Sequence, residues 1–87
     1  MIKKKIKLNN NILSNRIIVS PMCQYSSIRG SPSNWHYKHL SNLILSGASM
    51  LVLESTAVSK IGRITYNDLG LFNKTQEKNF SKLIKFL

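Results

Sequence analysis

Two apolar runs and two stretches of helical spacing organise the chain. Ile17-Ile18-Val19 is β-branched and has no polar alternation, which is the pattern of a strand buried on both faces. Pro21 ends it, since proline cannot donate to a strand ladder. Residues 24–34 are rich in Ser, Gly and Pro and read as a loop. Ser33 or Asn34 can cap a helix, and Leu40, Leu43 and Ile44, with His36 one turn earlier, supply its apolar face. Gly47 is placed to stop it, because glycine accepts left-handed backbone. Met50-Leu51-Val52-Leu53 is the second apolar run. Strand, helix and strand in this order predict a parallel βαβ unit with a right-handed crossover.

On either side the signals are weaker. Ile6 to Leu13 alternates loosely around Asn9-Asn10-Asn11, and asparagine tolerates left-handed backbone, so a short hairpin is expected there. Residues 55–74 form a long connection, of a length usually reserved for function or disorder. A last helix is expected from Thr75 as cap, with Glu77 in its first turn and Phe80, Leu83, Ile84 and Leu87 on one face. That face runs to the final residue with no closing glycine, proline or polar cap. The expectation is therefore a segment of a larger domain, spanning residues 1–87 without an internal boundary.

Composition narrows the classes. An 87-residue chain that is 43% hydrophobic has too much apolar content for a disordered tail. It is also too short for a complete α/β barrel of roughly 250 residues. The single cysteine, Cys23, excludes an internal disulfide and a multi-cysteine zinc site. No apolar run is long enough to cross a membrane. The basic start lacks the apolar stretch of a signal peptide, so a cytoplasmic, reduced protein is expected. The formal charge of +10 raises nucleic acid as a partner. However, four lysines lie within the first seven residues, the rest are scattered, and Lys, Asn and Ile all have AT-rich codons. Drift in an AT-rich genome would give this composition without an anionic partner, so nucleic acid is not the expected partner.

Several separated motifs agree on one family. Asn15-Arg16-Ile17-Ile18-Val19-Ser20-Pro21-Met22-Cys23-Gln24-Tyr25-Ser26 resembles the first strand of the old yellow enzymes, in particular their bacterial class. Trp35-His36 with His39-Leu40 resembles the first helix of that family, and Leu53-Glu54-Ser55-Thr56-Ala57-Val58 its second strand and following turn. Gly62-Arg63-Ile64 and Asp68-Leu69-Gly70-Leu71 resemble the long loop after it. Phe72 stands where the family often has tryptophan. The resemblance is colinear over nearly the whole chain. It implies an α/β fold: the N-terminal hairpin and first two βα units of a TIM (β/α)₈ barrel. It also implies an FMN-dependent oxidoreductase that takes hydride from NADH or NADPH and reduces an activated alkene.

The resemblance assigns site residues by position. Ser20, Pro21, Met22 and Cys23 would line the flavin at the end of the first strand, the active face of a barrel. The alternative for them is a plain strand-ending turn. Cys23 would sit beside the reactive part of the flavin, where a polarizable sulfur tunes redox behaviour; otherwise it is a small buried hydrophobe. Tyr25 would contact substrate, its phenol donating to the carbonyl that activates the alkene, against an exposed loop aromatic. Ala57 would bring its backbone close to the flavin, against a small loop residue. His36 and His39 are not carried over. The family's substrate-binding His-x-x-His or His-x-x-Asn pair belongs to a later part of the barrel, and these two are expected to be structural. They could share a metal at this spacing, but the sequence offers no third ligand. Glu54, expected within the second strand, is either solvated or paired, with Arg63 as candidate partner.

No catalytic residue is assigned, since the remaining family site residues and the phosphate-binding loops lie beyond Leu87. Two strands alone would leave open edges and unfilled interior positions. The isolated chain is expected to be inactive, and either unstable, self-associating or dependent on a complementing barrel fragment. The alternative function is a small basic binding module without catalysis.

Overall fold

The computed structural model describes residues 1–87. A hairpin opens the chain, with β1 (Ile6–Leu8) antiparallel to β2 (Asn11–Leu13). Asn9, at φ 52°, supplies the left-handed residue of its two-residue turn. Asn11 belongs to the second strand rather than to the turn.

The βαβ unit is formed as expected. β3 (Ile18–Val19) pairs in parallel with β4 (Met50–Leu51), and α1 (Asn34–Leu45) connects them. Val52 extends the ladder by donating to the Val19 carbonyl at 3.1 Å. Ser33 is the N-cap of α1, and Gly47 follows the helix at φ +98°. Asn15 ties the two strand beginnings together: its side chain donates to Gly47 O at 2.8 Å and accepts from Ser49 N at 3.2 Å.

The expectation of strands buried on both faces is corrected. Ile18 and Met50 are 46% and 41% exposed, whereas Val19 and Leu51 are half-buried. Nothing within residues 1–87 supplies a second layer over the open face of this pair.

The connection over 55–74 contains a second parallel pair, β5 (Thr56–Ala57) with β6 (Leu69–Gly70). Strands of two residues carry no readable period, which is why the pattern showed only a loop. Glu54, expected within a strand, lies just beyond β4. The last helix, α2 (Lys74–Phe86), is capped by Asn73 rather than Thr75. The Asn73 side chain accepts from Gln76 N at 2.8 Å, satisfying a donor that the helix leaves unpaired.

The apolar core is small: Leu40, Ala57, Leu69 and Leu83. Of the expected face of α2, Leu83 is fully buried, while Ile84 and Leu87 are 53% and 37% exposed. These two line an open apolar groove with Leu43, Ile44, Met50 and Leu53.

Polar groups hold what the core does not. Gln76 is 1% exposed; it accepts from Phe72 N at 2.8 Å and donates to Arg29 O at 3.1 Å. Gly30 (φ +81°) and Gly70 leave room for it: a Cβ on Gly30 would overlap the Gln76 amide, and one on Gly70 would come within 2.5 Å of the Phe72 ring.

Candidate functional site

Because β3 and β4 run parallel and in register, the segments leaving their C-terminal ends emerge on the same side. These segments are residues 20–33 and 52–73. Four contacts bind them to each other and to α2. Ser27 N donates to Asn67 O at 3.1 Å and Gly70 N to Gly30 O at 2.8 Å. Ser27 Oγ donates to Asp68 O at 2.9 Å, and Gln76 Nε2 reaches Arg29 O. The two loops thus form one platform at the strand ends.

Ser20, Pro21 and Met22 lie exposed immediately after β3, and Cys23 is a half-buried free thiol. Ser20 and Met22 share a narrow crevice with Gln24, Val52 and Glu54. The backbone N–H groups of Met22 and Cys23 have no acceptor within the chain. Tyr25 sits at φ 52° and is 54% exposed. Ala57 lies in β5, is 8% exposed, and its carbonyl accepts from Leu71 N at 2.8 Å. The structure therefore brings Ser20 and Met22 together and joins the Tyr25 loop to the second loop. Ala57 stands in the separate β5–β6 pair. A groove of about 510 Å³ is lined by Ile28, Arg29, Ser31, Pro32, Asn73, Thr75 and Asn79; none of the six residues implied by the resemblance borders it.

Glu54 is paired with His36, not with Arg63. His36 Nε2 lies 3.1 Å from Glu54 Oε1, with the side chains 0% and 5% exposed. The contact is close but poorly aligned, and Nε2 has no well-formed hydrogen bond elsewhere. Glu54 Oε2 accepts from Gln24 N at 3.2 Å. Arg63 instead donates to Lys60 O at 3.0 Å and lies over the Tyr66 and Phe72 rings at 4.9 and 6.0 Å. His39 stacks on Trp35 at 5.6 Å, so both histidines have packing roles.

Sequence reasoning missed this three-way contact. One signal was available: His36 stands three residues after the cap, where a side chain can reach back to the cap backbone. Its Nδ1 accepts from Ser33 N at 3.0 Å. Asp68 was also missed as a local organiser. It is 2% exposed and accepts from Ile64 N at 2.8 Å, Thr65 N at 3.2 Å and Thr65 Oγ at 2.8 Å.

The two buried groups titrate in a defined direction. Burial pushes His36 below its ordinary 6.5; the Glu54 carboxylate opposes this and His39 adds to it. Geometry agrees, since a proton on Nδ1 would face the Ser33 N–H. Burial alone would raise Asp68, but the hydrogen bonds from Thr65 and Ile64 and the Arg63 charge leave it below 3.8. For His36, the unfolded chain takes up a proton at a higher pH than the folded one. Its contribution to stability is complete above 6.5 and is lost as pH falls through the lowered folded value. The helical far-UV signal of the wild-type chain is expected to fall as pH drops below about 6.5. In His36→Gln this step is expected to disappear; a step unchanged in that variant would assign it to another group.

The architecture is that of the opening βα units of a parallel α/β barrel. The family model described as NADH:flavin oxidoreductase / NADH oxidase matches residues 2–86, and the chain belongs to that family. It is 40% identical over 80 residues to an NADPH dehydrogenase of Listeria monocytogenes, covering 90% of this chain and 24% of that one. It is 38% identical over 72 residues to an NADH:flavin oxidoreductase of Gibberella zeae, covering 83% of this chain and 17% of that one.

Among solved structures, morphinone reductase in complex with tetrahydroNAD superposes with a TM-score of 0.86 at 18% identity, over 98% of this chain and 23% of that one. The old yellow enzyme homologue of Zymomonas mobilis gives 0.85 at 16% identity, over 98% and 24%. The chain spans about a quarter of the length of the curated relatives it matches. No helix is long and apolar enough to cross a membrane.

Proposed function

We propose that residues 1–87 are the N-terminal part of the barrel domain of a cytoplasmic FMN-dependent NAD(P)H oxidoreductase that reduces activated alkenes. The observation that carries this reading is the family match over residues 2–86, with Ser20–Cys23 placed at the C-terminal end of a barrel strand. Bound there, FMN would supply hydride transfer from NADH or NADPH to the alkene. The residues present fit such a ligand. The Met22 and Cys23 N–H groups are donors without an acceptor in the chain, and the flavin ring edge carries acceptors. Ser20, Pro21, Met22, Cys23 and Ala57 are the proposed cofactor contacts. Tyr25, held outward on its loop, is the proposed substrate contact. The segment holds no phosphate anchor of the kind built after strands 7 and 8, so the chain by itself is proposed to be inactive.

The test is a chimaera in which the rest of the Listeria monocytogenes NADPH dehydrogenase barrel follows Leu87. It is expected to purify with FMN, to be bleached by NADPH or NADH, and to recover its colour with an α,β-unsaturated ketone. A folded chimaera that takes up no FMN would overturn the cofactor assignment.

A second reading, a basic binding module, draws on the shallow groove along α2 lined by Lys74, Lys78, Lys82 and Lys85. It requires nucleic-acid affinity with a steep inverse dependence on salt. A flat salt dependence rejects it.

A further inference from the structure

A hydrogen bond and a close but poorly aligned polar contact, from different elements, meet at one buried carboxylate. Gln24 N–H, from the loop after β3, points at Glu54 Oε2 at 3.2 Å. His36 Nε2, from α1, lies 3.1 Å from Oε1. Neither donor can reverse its role. The backbone N–H is fixed, and His36 Nδ1 is already the acceptor for Ser33 N–H at 3.0 Å, which leaves the ring proton on Nε2. An ionised carboxylate presents an acceptor to each of them and a donor to neither. A carboxamide offers one oxygen and one NH₂. With its oxygen toward Gln24, its NH₂ would face the His36 N–H, donor against donor; turned to give His36 the oxygen, it would leave the Gln24 N–H unpaired.

The consequence lies in the loop. Gln24 directly follows Cys23. Its side chain also ties down the same turn, donating to Met22 O at 2.9 Å and accepting from Trp35 Nε1 at 2.9 Å. Those two bonds are exposed to solvent, where competing water leaves them little net strength. The bond to Glu54 is the part-buried one.

We infer that Glu54 is a positioning residue that fixes the path of the Met22–Gln24 segment, with His36 as the strut that holds its carboxylate from α1. This inference rests on the proposed function only in making that segment a flavin contact; the hydrogen bonds stand without it.

The experiment follows hydrogen exchange at the Gln24 amide and alkylation of Cys23 on the full chain, both read by mass spectrometry. Both readouts tolerate self-association. In the wild type the Gln24 amide is expected to exchange more slowly than the exposed Ile61 amide. Glu54→Gln is expected to remove that protection and to speed Cys23 alkylation about tenfold, the effect of leaving one buried donor unpaired. The double variant Glu54→Gln with His36→Glu supplies a carboxylate that accepts from the carboxamide NH₂ and, three residues after the Ser33 cap, from Ser33 N–H. It is expected to return Gln24 protection and to slow alkylation again, a recovery that a merely space-filling role would not give.

Wild-type Gln24 exchanging as fast as Ile61, or Glu54→Gln alkylating at the wild-type rate, would overturn the inference. Where Glu54→Gln loses the helical signal, the double variant decides: recovered protection supports the role and absent recovery rejects it. Failure of the chimaera to bind FMN, with these results intact, would reject the flavin reading and leave Glu54 its positioning role.

Discussion

The isolated chain is expected to sediment at micromolar concentration as species larger than 9.9 kDa, and to melt without a sharp cooperative transition. The argument is one of surface. Four apolar residues are buried, whereas Ile12, Leu45, Ile61, Ile64, Ile84 and Phe86 are each more than half exposed. The radius of gyration is 14.3 Å, where a compact domain of this length has about 12 Å. β3 and β4 pair only with each other, so each presents an unpaired edge, the template on which further strands add. The apolar groove along α1, β4 and α2 lies beside that edge. Contiguous apolar surface of this kind drives association. Adding the complementary barrel segment of the Listeria relative is expected to shift the sedimentation toward a one-to-one complex. A single 9.9 kDa species with a cooperative melt would contradict the prediction.

Leu69→Ala is expected to abolish what folded structure the chain retains. Leu69 is 0% exposed and belongs to β6, beside the Asp68 turn and the Gly70 contact that joins the two loops. Truncating a buried leucine costs about 2–5 kcal/mol, which is comparable to the whole stability of a small domain. Ile61→Ala removes a similar side chain that is 97% exposed, and its effect is expected to stay within about 0.5 kcal/mol. Far-UV circular dichroism compares the helical signal that the two variants keep. Equal loss in both variants would show that the buried cluster around Leu69 does not hold the structure together.

The legible parts of the chain were the local ones. The strand at Ile18–Val19, the Ser33 cap, the spacing of His36, Leu40 and Leu43, and Gly47 each depend on neighbours within a few residues, and each lies where the pattern places it, though the strand's burial does not follow. The second cap was off by two residues because asparagine and threonine both serve. Asn73 takes the position since its oxygen reaches the Gln76 N–H. The β5–β6 pair escaped because two residues of strand carry no alternation. Arg63 looked like the natural partner of Glu54 by charge. In the fold its guanidinium lies over two aromatic rings, and the carboxylate meets a histidine from the first helix.

The sequence by itself determined the opening hairpin, the parallel βαβ unit, the last helix and the family. Periodicity and motif spacing are properties of neighbouring residues, and they survive without knowledge of distant contacts. Only the tertiary structure decided which polar groups meet. Gln24 and Glu54 are 30 residues apart, and Arg29 and Gln76 are 47 apart. Such pairings follow from how strands and helices pack, and a buried polar group must find whichever partner that packing brings to it.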